Sequence, residues 1–191
     1  MSALQMVEHL VGLQAQENLP PYLSLAARIE GFDPHELSDA LENKDVVRFL
    51  TMRGTIHVLV PEDALSLRSW VQRALDQQSS SNQMSRPARG VPVDDLVAAT
   101  RRLLEPGPLP VKQLGERLAE IFTGVPAGAL AHTARERVPM VQVPPRGCGS
   151  DRAASSTRPS RAISAAPRRR STCVSSYGAT CARSGPARRR T

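Results

Sequence analysis

The feature that most constrains this chain is a break in composition after Val141-Gln-Val-Pro-Pro-Arg-Gly147. Leu, Val and Glu carry the residues before it, whereas residues 148–191 contain no Leu, Glu, Lys or Phe. That stretch is Arg, Ser, Ala, Gly and Pro, and Cys148, Cys173 and Cys181 all fall inside it. Such a composition buries too little apolar surface to offset the entropy of ordering a chain. A packed body is therefore expected only before the break, and a disordered tail after it. Cys173 and Cys181, with no further Cys or His at ligand spacing, fit no metal pattern.

The charge divides at the same place. Residues 1–146 hold 15 Lys and Arg against 17 Asp and Glu, whereas residues 147–191 hold 10 Arg and one acid, Asp151. The net charge of +7 thus comes entirely from the tail and says nothing about what the body binds. The tail has two readings, a basic arm that seeks polyanions or a product of out-of-frame translation. GC-rich coding DNA in a wrong frame yields Arg, Ala, Gly, Pro and Ser, and Thr180–Ala187 shifted by one base returns ordinary helix-and-turn sequence. The second reading is preferred.

No stretch approaches the roughly 20 apolar residues that a spanning helix needs. Met1–Glu8 has neither a basic start nor a long apolar run, so no secretory signal is read there. A cytoplasmic monomer is expected.

Within the body, Leu4, Val7, Val11 and Gln14 recur at helical spacing, predicting a helix over 2–14. Pro20-Pro21 opens a second helix with Tyr22, Leu25, Ala26 and Ile29 as its stripe and Gly31 as its stop. Asp33-Pro-His-Glu36 reads as an N-cap, a proline at the first helical position and an acid two further on. The helix it starts buries Leu37, Ala40 and Leu41. Val46–Met52 and Thr55–Val60 are β-rich runs joined by Arg53-Gly54, the mark of a tight hairpin. A fourth helix is expected over 62–78 and a polar linker over 79–90.

The pattern then restarts. Helices are expected over 93–104, 110–122 (with Val111, Leu114, Leu118 and Ile121 aligned) and 128–138, followed by a strand over 140–143. The break arrives where a return strand should follow. The expected fold is mainly α with short β-hairpin wings: a winged helix-turn-helix over 1–78, a linker over 79–90, an incomplete second unit over 91–147, and the basic tail 148–191.

Five strings carry a resemblance: Val11-Gly-Leu-Gln-Ala-Gln16, Pro20-Pro-Tyr22, Ala27-Arg-Ile-Glu-Gly-Phe32, Met52-Arg-Gly-Thr-Ile-His57 and Val141-Gln-Val-Pro-Pro-Arg-Gly147. In collinear order they resemble the bacterial winged-helix family that includes the AlkZ and YcaQ DNA glycosylases. The resemblance implies tandem winged helices curved around double-stranded DNA, of which this chain would hold the first, most of the second and none of a third. It also implies that Gln14 and Gln16 form the Gln-x-Gln motif that carries glycosidic-bond chemistry.

The residues allow a plainer role for that motif. On the expected helix stripe Gln14 would be an amide needing partners, and Gln16 would sit about 200° around the helix, facing away. Only in an extended segment would the two share a face, which requires the helix to end near Gln14. Amides can orient a water but cannot remove a proton as a carboxylate does. They suffice for a leaving group that is already cationic, such as an N3- or N7-alkylated purine, and not for a neutral base.

Arg53 and His57 flank the hairpin turn and are expected to contact DNA, against the plainer reading of a solvated arginine and a satisfied strand histidine. His132, Arg135 and Arg137 give a later helix the charge of a DNA-reading element. The third helix instead carries Glu36, Asp39 and Glu42, which phosphates would repel. No metal or cofactor is expected. The alternatives are a non-catalytic DNA-binding regulator, or an impaired fragment that binds polyanions without specificity.

Overall fold

A computed structural model describes residues 1–148 and 156–159. It is mainly helical, with one small antiparallel sheet. The order helix, strand, helix, helix, strand, strand occurs twice. The first pass is α1 (Ala3–His9), β1 (Leu13–Gln14), α2 (Leu19–Ala26), α3 (Pro34–Glu42), β2 (Val47–Leu50) and β3 (Ile56–Leu59). The long α4 (Pro61–Ser81) follows. The second pass is α5 (Val93–Leu104), β4 (Leu109–Pro110), α6 (Val111–Ile121), α7 (Ala127–Arg137), β5 (Met140–Val143) and β6 (Ser156–Pro159).

The strands lie in the order β1-β3-β2-β5-β6-β4. The third strand of each pass is flanked by the other two of its own pass, and β2 meets β5 at the centre through Arg48↔Gln142 and Phe49↔Val141. Antiparallel pairing of β5 with β6, from Met140↔Pro159 to Val143↔Ser156, supplies a return strand at 156–159. The expectation that the second wing lacks this strand is thereby corrected. The other tail residues, Cys173 and Cys181 among them, lie outside the described residues.

Two apolar cores hold the helices. The first gathers Ala3, Met6 and Val7 of α1, Tyr22 and Leu25 of α2, and Leu37, Ala40 and Leu41 of α3 against Leu13, Ile56 and Val58 of the sheet. The second gathers Leu96 and Leu104 of α5, Leu114 and Leu118 of α6, and Leu130 and Ala134 of α7, with Met140 from β5. On the opposite face of β2 and β3, Val47, Phe49 and Leu59 join Val141 of β5 and pack on Ala64 and Leu67 of α4. This alternation is what strands with two covered faces require.

Local chemistry explains most of the boundaries. The Asp33 side chain accepts from the His35 backbone N–H and Pro34 opens α3, as the sequence suggested. Glu36 does not close a capping box there. Its Oε2 accepts the Ala3 N–H of α1 at 2.8 Å, so one carboxylate ties two helices. The first helix is shorter than expected. It stops at His9, and Val11 adopts φ 59, a costly conformation for a β-branched residue. Val11 is consequently exposed and Gln14 belongs to a strand. Ala26 and Ile121, placed on apolar stripes by periodicity, are exposed as well. Within the expected polar linker over 79–90, Ser79 belongs to α4, and Ser79, Ser85 and Ala88 are buried around a 3₁₀ turn at Arg86–Ala88, while most of its other residues are exposed. Among the described residues no helix is long and apolar enough to cross a membrane.

Candidate functional site

The site begins where α1 ends. After the turn at Val11-Gly12, Leu13 and Gln14 pair with Val58 and His57 of β3, and the Ala15 N–H donates to the Ile56 carbonyl at 2.7 Å. The segment is therefore extended. Leu13 and Ala15 are buried, whereas Gln14 and Gln16 are exposed. Alternation along an extended backbone puts the two amides on one side, the arrangement a continuous helix would have forbidden.

Each amide oxygen is held by the hairpin. Gln14 Oε1 accepts from Arg53 Nη2 at 3.3 Å, and Gln16 Oε1 accepts from the Ile56 N–H at 3.2 Å. Arg53 reaches Gln14 from a tight turn in which Arg53 and Gly54 both have positive φ and the Thr55 N–H donates to the Met52 carbonyl at 3.1 Å. That geometry matches the right-handed twist of the flanking strands. A Cβ at Gly54 would meet the Gln78 side chain at 2.5 Å, so the turn is also pressed onto α4.

His57 stands opposite Gln14 in the ladder and is buried. Its Nδ1 lies 3.2 Å from the Thr55 carbonyl and 3.3 Å from Thr51 Oγ1. A carbonyl can only accept, so the proton is assigned to Nδ1 and Nε2 is the basic nitrogen. Burial lowers its pKa from the ordinary 6.5, the Thr55 bond opposes this, and nearby Arg53 adds to the lowering. The ring is therefore neutral at pH 7. Thr51, itself fully buried, is a member of this cluster that sequence reading missed.

The later basic residues are not gathered with these. His132 Nε2 lies 3.3 Å from Glu136 Oε1 and 2.8 Å from Asn82 Nδ2, and Arg137 Nη1 pairs with Asp76 of α4 at 2.6 Å. Arg135 is half-buried, and desolvation lowers its pKa. Glu136 is buried, which by itself would raise its pKa. Hydrogen bonds from His132, Ser79 and Ser85, with the charge of His132, outweigh that and hold it at about 2. These contacts join α7 to α4 and its following turn, and they engage His132 and Arg137 within the protein. Buried Ala129, Leu130, Ala131, Thr133, Ala134 and Glu136 leave α7 little free surface. The corresponding α3 is open but presents Glu36, Asp39 and Glu42.

Beneath the Gln-x-Gln segment lies a second residue the sequence reading passed over. Arg48 is 1% exposed, and its Nη2 donates to the Ala15 carbonyl at 2.6 Å. A signal was present: within Val46–Met52 it shares parity with Val46 and Leu50, the face turned to the first core. Among the described residues no group of three or more His, Cys, Asp or Glu could hold a metal ion.

Comparison with known proteins gives the family and the fold. The profile of the family described as "DNA glycosylase AlkZ-like" matches residues 7–190. Among solved structures, the Streptomyces sahachiroi DNA glycosylase AlkZ is similar with a TM-score of 0.67 at 20% identity, over 84% of this chain and 44% of that one. The chain thus spans less than half the length of that protein. No curated protein matches.

Proposed function

The chain belongs to the AlkZ-like DNA glycosylase family, and from that premise we propose that Gln14 and Gln16 position the water that hydrolyses the N-glycosidic bond of an N-alkylated purine in duplex DNA. The observation that carries this reading is the extended segment itself, with two exposed amides on one side and each oxygen anchored by the hairpin. We read each repeat of the element order as a winged helix, the first holding the chemistry.

An amide oxygen has two lone pairs. One on Gln14 faces Arg53 Nη2 at 3.3 Å and the other is free to accept a hydrogen from water; the exposed Nε2 groups can donate to it. No proton need be taken from a reluctant donor at the first step, because an alkylated purine leaves as a neutral base from a cationic nucleoside. The site then has only to hold water against the oxocarbenium-like sugar; once the C1′–O bond has formed, the added water is acidic and its extra proton passes to solvent, not to the amides. Neutral bases, which need a general acid, should not be released. Arg53 and His57 border this site: exposed Arg53 is proposed to face the DNA by its charge, and buried His57 to fix the strand opposite Gln14.

A regulator that reads the major groove with a basic helix is less well supported. Of the two helices in the corresponding position, α3 exposes acids and α7 is largely covered.

The test measures release of 7-methylguanine from duplex DNA by this chain and by its Gln14→Ala variant. Because both are the same length, the comparison is independent of how a longer relative performs. A loss of about 100-fold, the scale on which misplacing a positioned reactant slows a reaction, is expected. Release that is unchanged by the substitution would sink the catalytic assignment.

A further inference from the structure

Arg48 lies where the two repeats share the ladder of β2 with β5. Its Nη2 donates to the Ala15 carbonyl at 2.6 Å, and its Nε donates to Gln142 Oε1 of β5 at 3.0 Å. The chain after β5 then closes over it. Tyr22 Oη donates to the Gly147 carbonyl at 2.9 Å and lies 2.9 Å from Ser38 Oγ, which pins Gly147 to the first repeat. Any Cβ at Gly147 would collide with the Arg48 side chain. A side chain at Gly147, whose φ is +101, would force this arginine to shift.

The carbonyl it holds belongs to the peptide between Gln14 and Gln16. A guanidinium donates in a fixed fork, and charge-assisted bonds are stronger and more directional than neutral ones. Burial, with a further contribution from Arg146, lowers the pKa of Arg48 to about 10, so it remains a cation. Its Nη1 has no hydrogen-bond partner among the described residues, an expensive arrangement for a group kept only for packing.

We infer that Arg48 is a positioning residue: by tying the Ala15–Gln16 peptide to Gln142 beneath the Gly147 segment, it sets the shared direction of Gln14 and Gln16. This deepens the glycosylase reading and rests on it for its catalytic consequence. It makes the geometry of a site in the first repeat depend on the second. Removing the hold lets the Ala15–Gln16 peptide rotate, and a shift of a fraction of an ångström in a water-positioning amide slows the chemical step without weakening DNA binding.

The experiment uses the full chain with Arg48→Lys, which keeps charge and stem but loses the fork, and Gln142→Ala, which cuts only the leg to the second repeat. Two readouts are taken on protein whose thermal midpoint stays near that of the unaltered chain. The first is the carbonyl carbon resonance of Ala15 with the side-chain amide resonances of Gln14 and Gln16. The second is kcat and KM for 7-methylguanine release. Both variants are expected to shift the three resonances, and Arg48→Lys to lower kcat about 10- to 100-fold at nearly constant KM. Unmoved resonances in either folded variant overturn the hold. Shifted resonances with unchanged kcat, where Gln14→Ala abolishes release, overturn the catalytic consequence. If the unaltered chain releases no base, the glycosylase reading fails, and the resonances alone decide whether Arg48 sets the amides. Should Arg48→Lys not fold, the milder Gln142→Ala decides the same question.

Discussion

The two repeats share one element order and a mirrored strand order, yet among the described residues only the first carries the candidate site. The short strand after the first helix is Leu13–Gln14 in one and Leu109–Pro110 in the other. Both pair antiparallel with the third strand of their repeat, Gln14 opposite His57 and Pro110 opposite Ser156. Where the first repeat offers an exposed amide, the second offers a ring with no donor. The third helix differs in the opposite sense: α3 lies open, whereas α7 is clamped to α4 by Glu136, Arg137 and their partners. The lesson is that a repeated framework is specified by its apolar spacing and turns, while chemistry rests on single polar residues that need not be copied.

This contrast can be broken in several ways. The largest effect should come from the second core. Leu118 is fully buried, and Leu118→Ala should cost about 2–5 kcal/mol by opening a cavity. Because β2 pairs with β5 and α4 packs on both repeats, the loss should appear in calorimetry as one lowered transition. Two separate transitions would show that the repeats are independent domains.

The joint itself comes next. Arg68 of α4, 3% exposed, donates to the Leu50 carbonyl at 3.1 Å and to the Glu136 carbonyl at 2.5 Å, and its guanidinium lies 5.9 Å from the Phe49 ring centre. Arg68→Met fills the volume but removes the donor to the part-buried Leu50 carbonyl and leaves the Glu136 carbonyl with Gln72 Nε2 alone at 3.2 Å, and should cost about 1–3 kcal/mol in denaturant unfolding. A neutral result would mean that water replaces the guanidinium without loss.

Acid should separate the repeats by their titrating groups. His57 has a folded pKa below its ordinary 6.5, so the unfolded chain binds the proton first. Its share of stability is present above 6.5 and is lost as pH falls through the folded value. Glu136, held at about 2 against an ordinary 4.5, contributes stability that is present above 4.5 and lost as pH falls toward 2. Thermal midpoints should therefore fall in two steps. His57→Gln should flatten the first and Glu136→Gln the second, while persistence of both steps in either variant would refute the assignment.

The smallest effect should lie at the open α3. Asp33→Ala removes an N-cap on a helix packed by one face only, and should cost about 1 kcal/mol in denaturant unfolding. A much larger loss would mean that α3 is held by its cap more than by Leu37 and Leu41.

The sequence by itself determined the elements whose signals are local. Asp33-Pro34 began α3, Arg53-Gly54 turned the hairpin, and apolar spacing marked α5, α6 and α7 almost to the residue. It also showed that Gln14 and Gln16 could act together only on extended chain. Whether that chain was extended was decided by tertiary structure, because β3 offered the Ile56 carbonyl and N–H as partners and Val11 took a conformation no propensity scale favours. Likewise, a sequence lists the charge of Arg137 without the carboxylate that meets it. Asp76 stands 61 residues from Arg137 and pairs with it only after α4 and α7 dock. The joining of β2 to β5, and with it the seat of Arg48, is equally non-local: two four-residue strands carry no label for which edge they will pair with, and packing against a shared α4 chooses it.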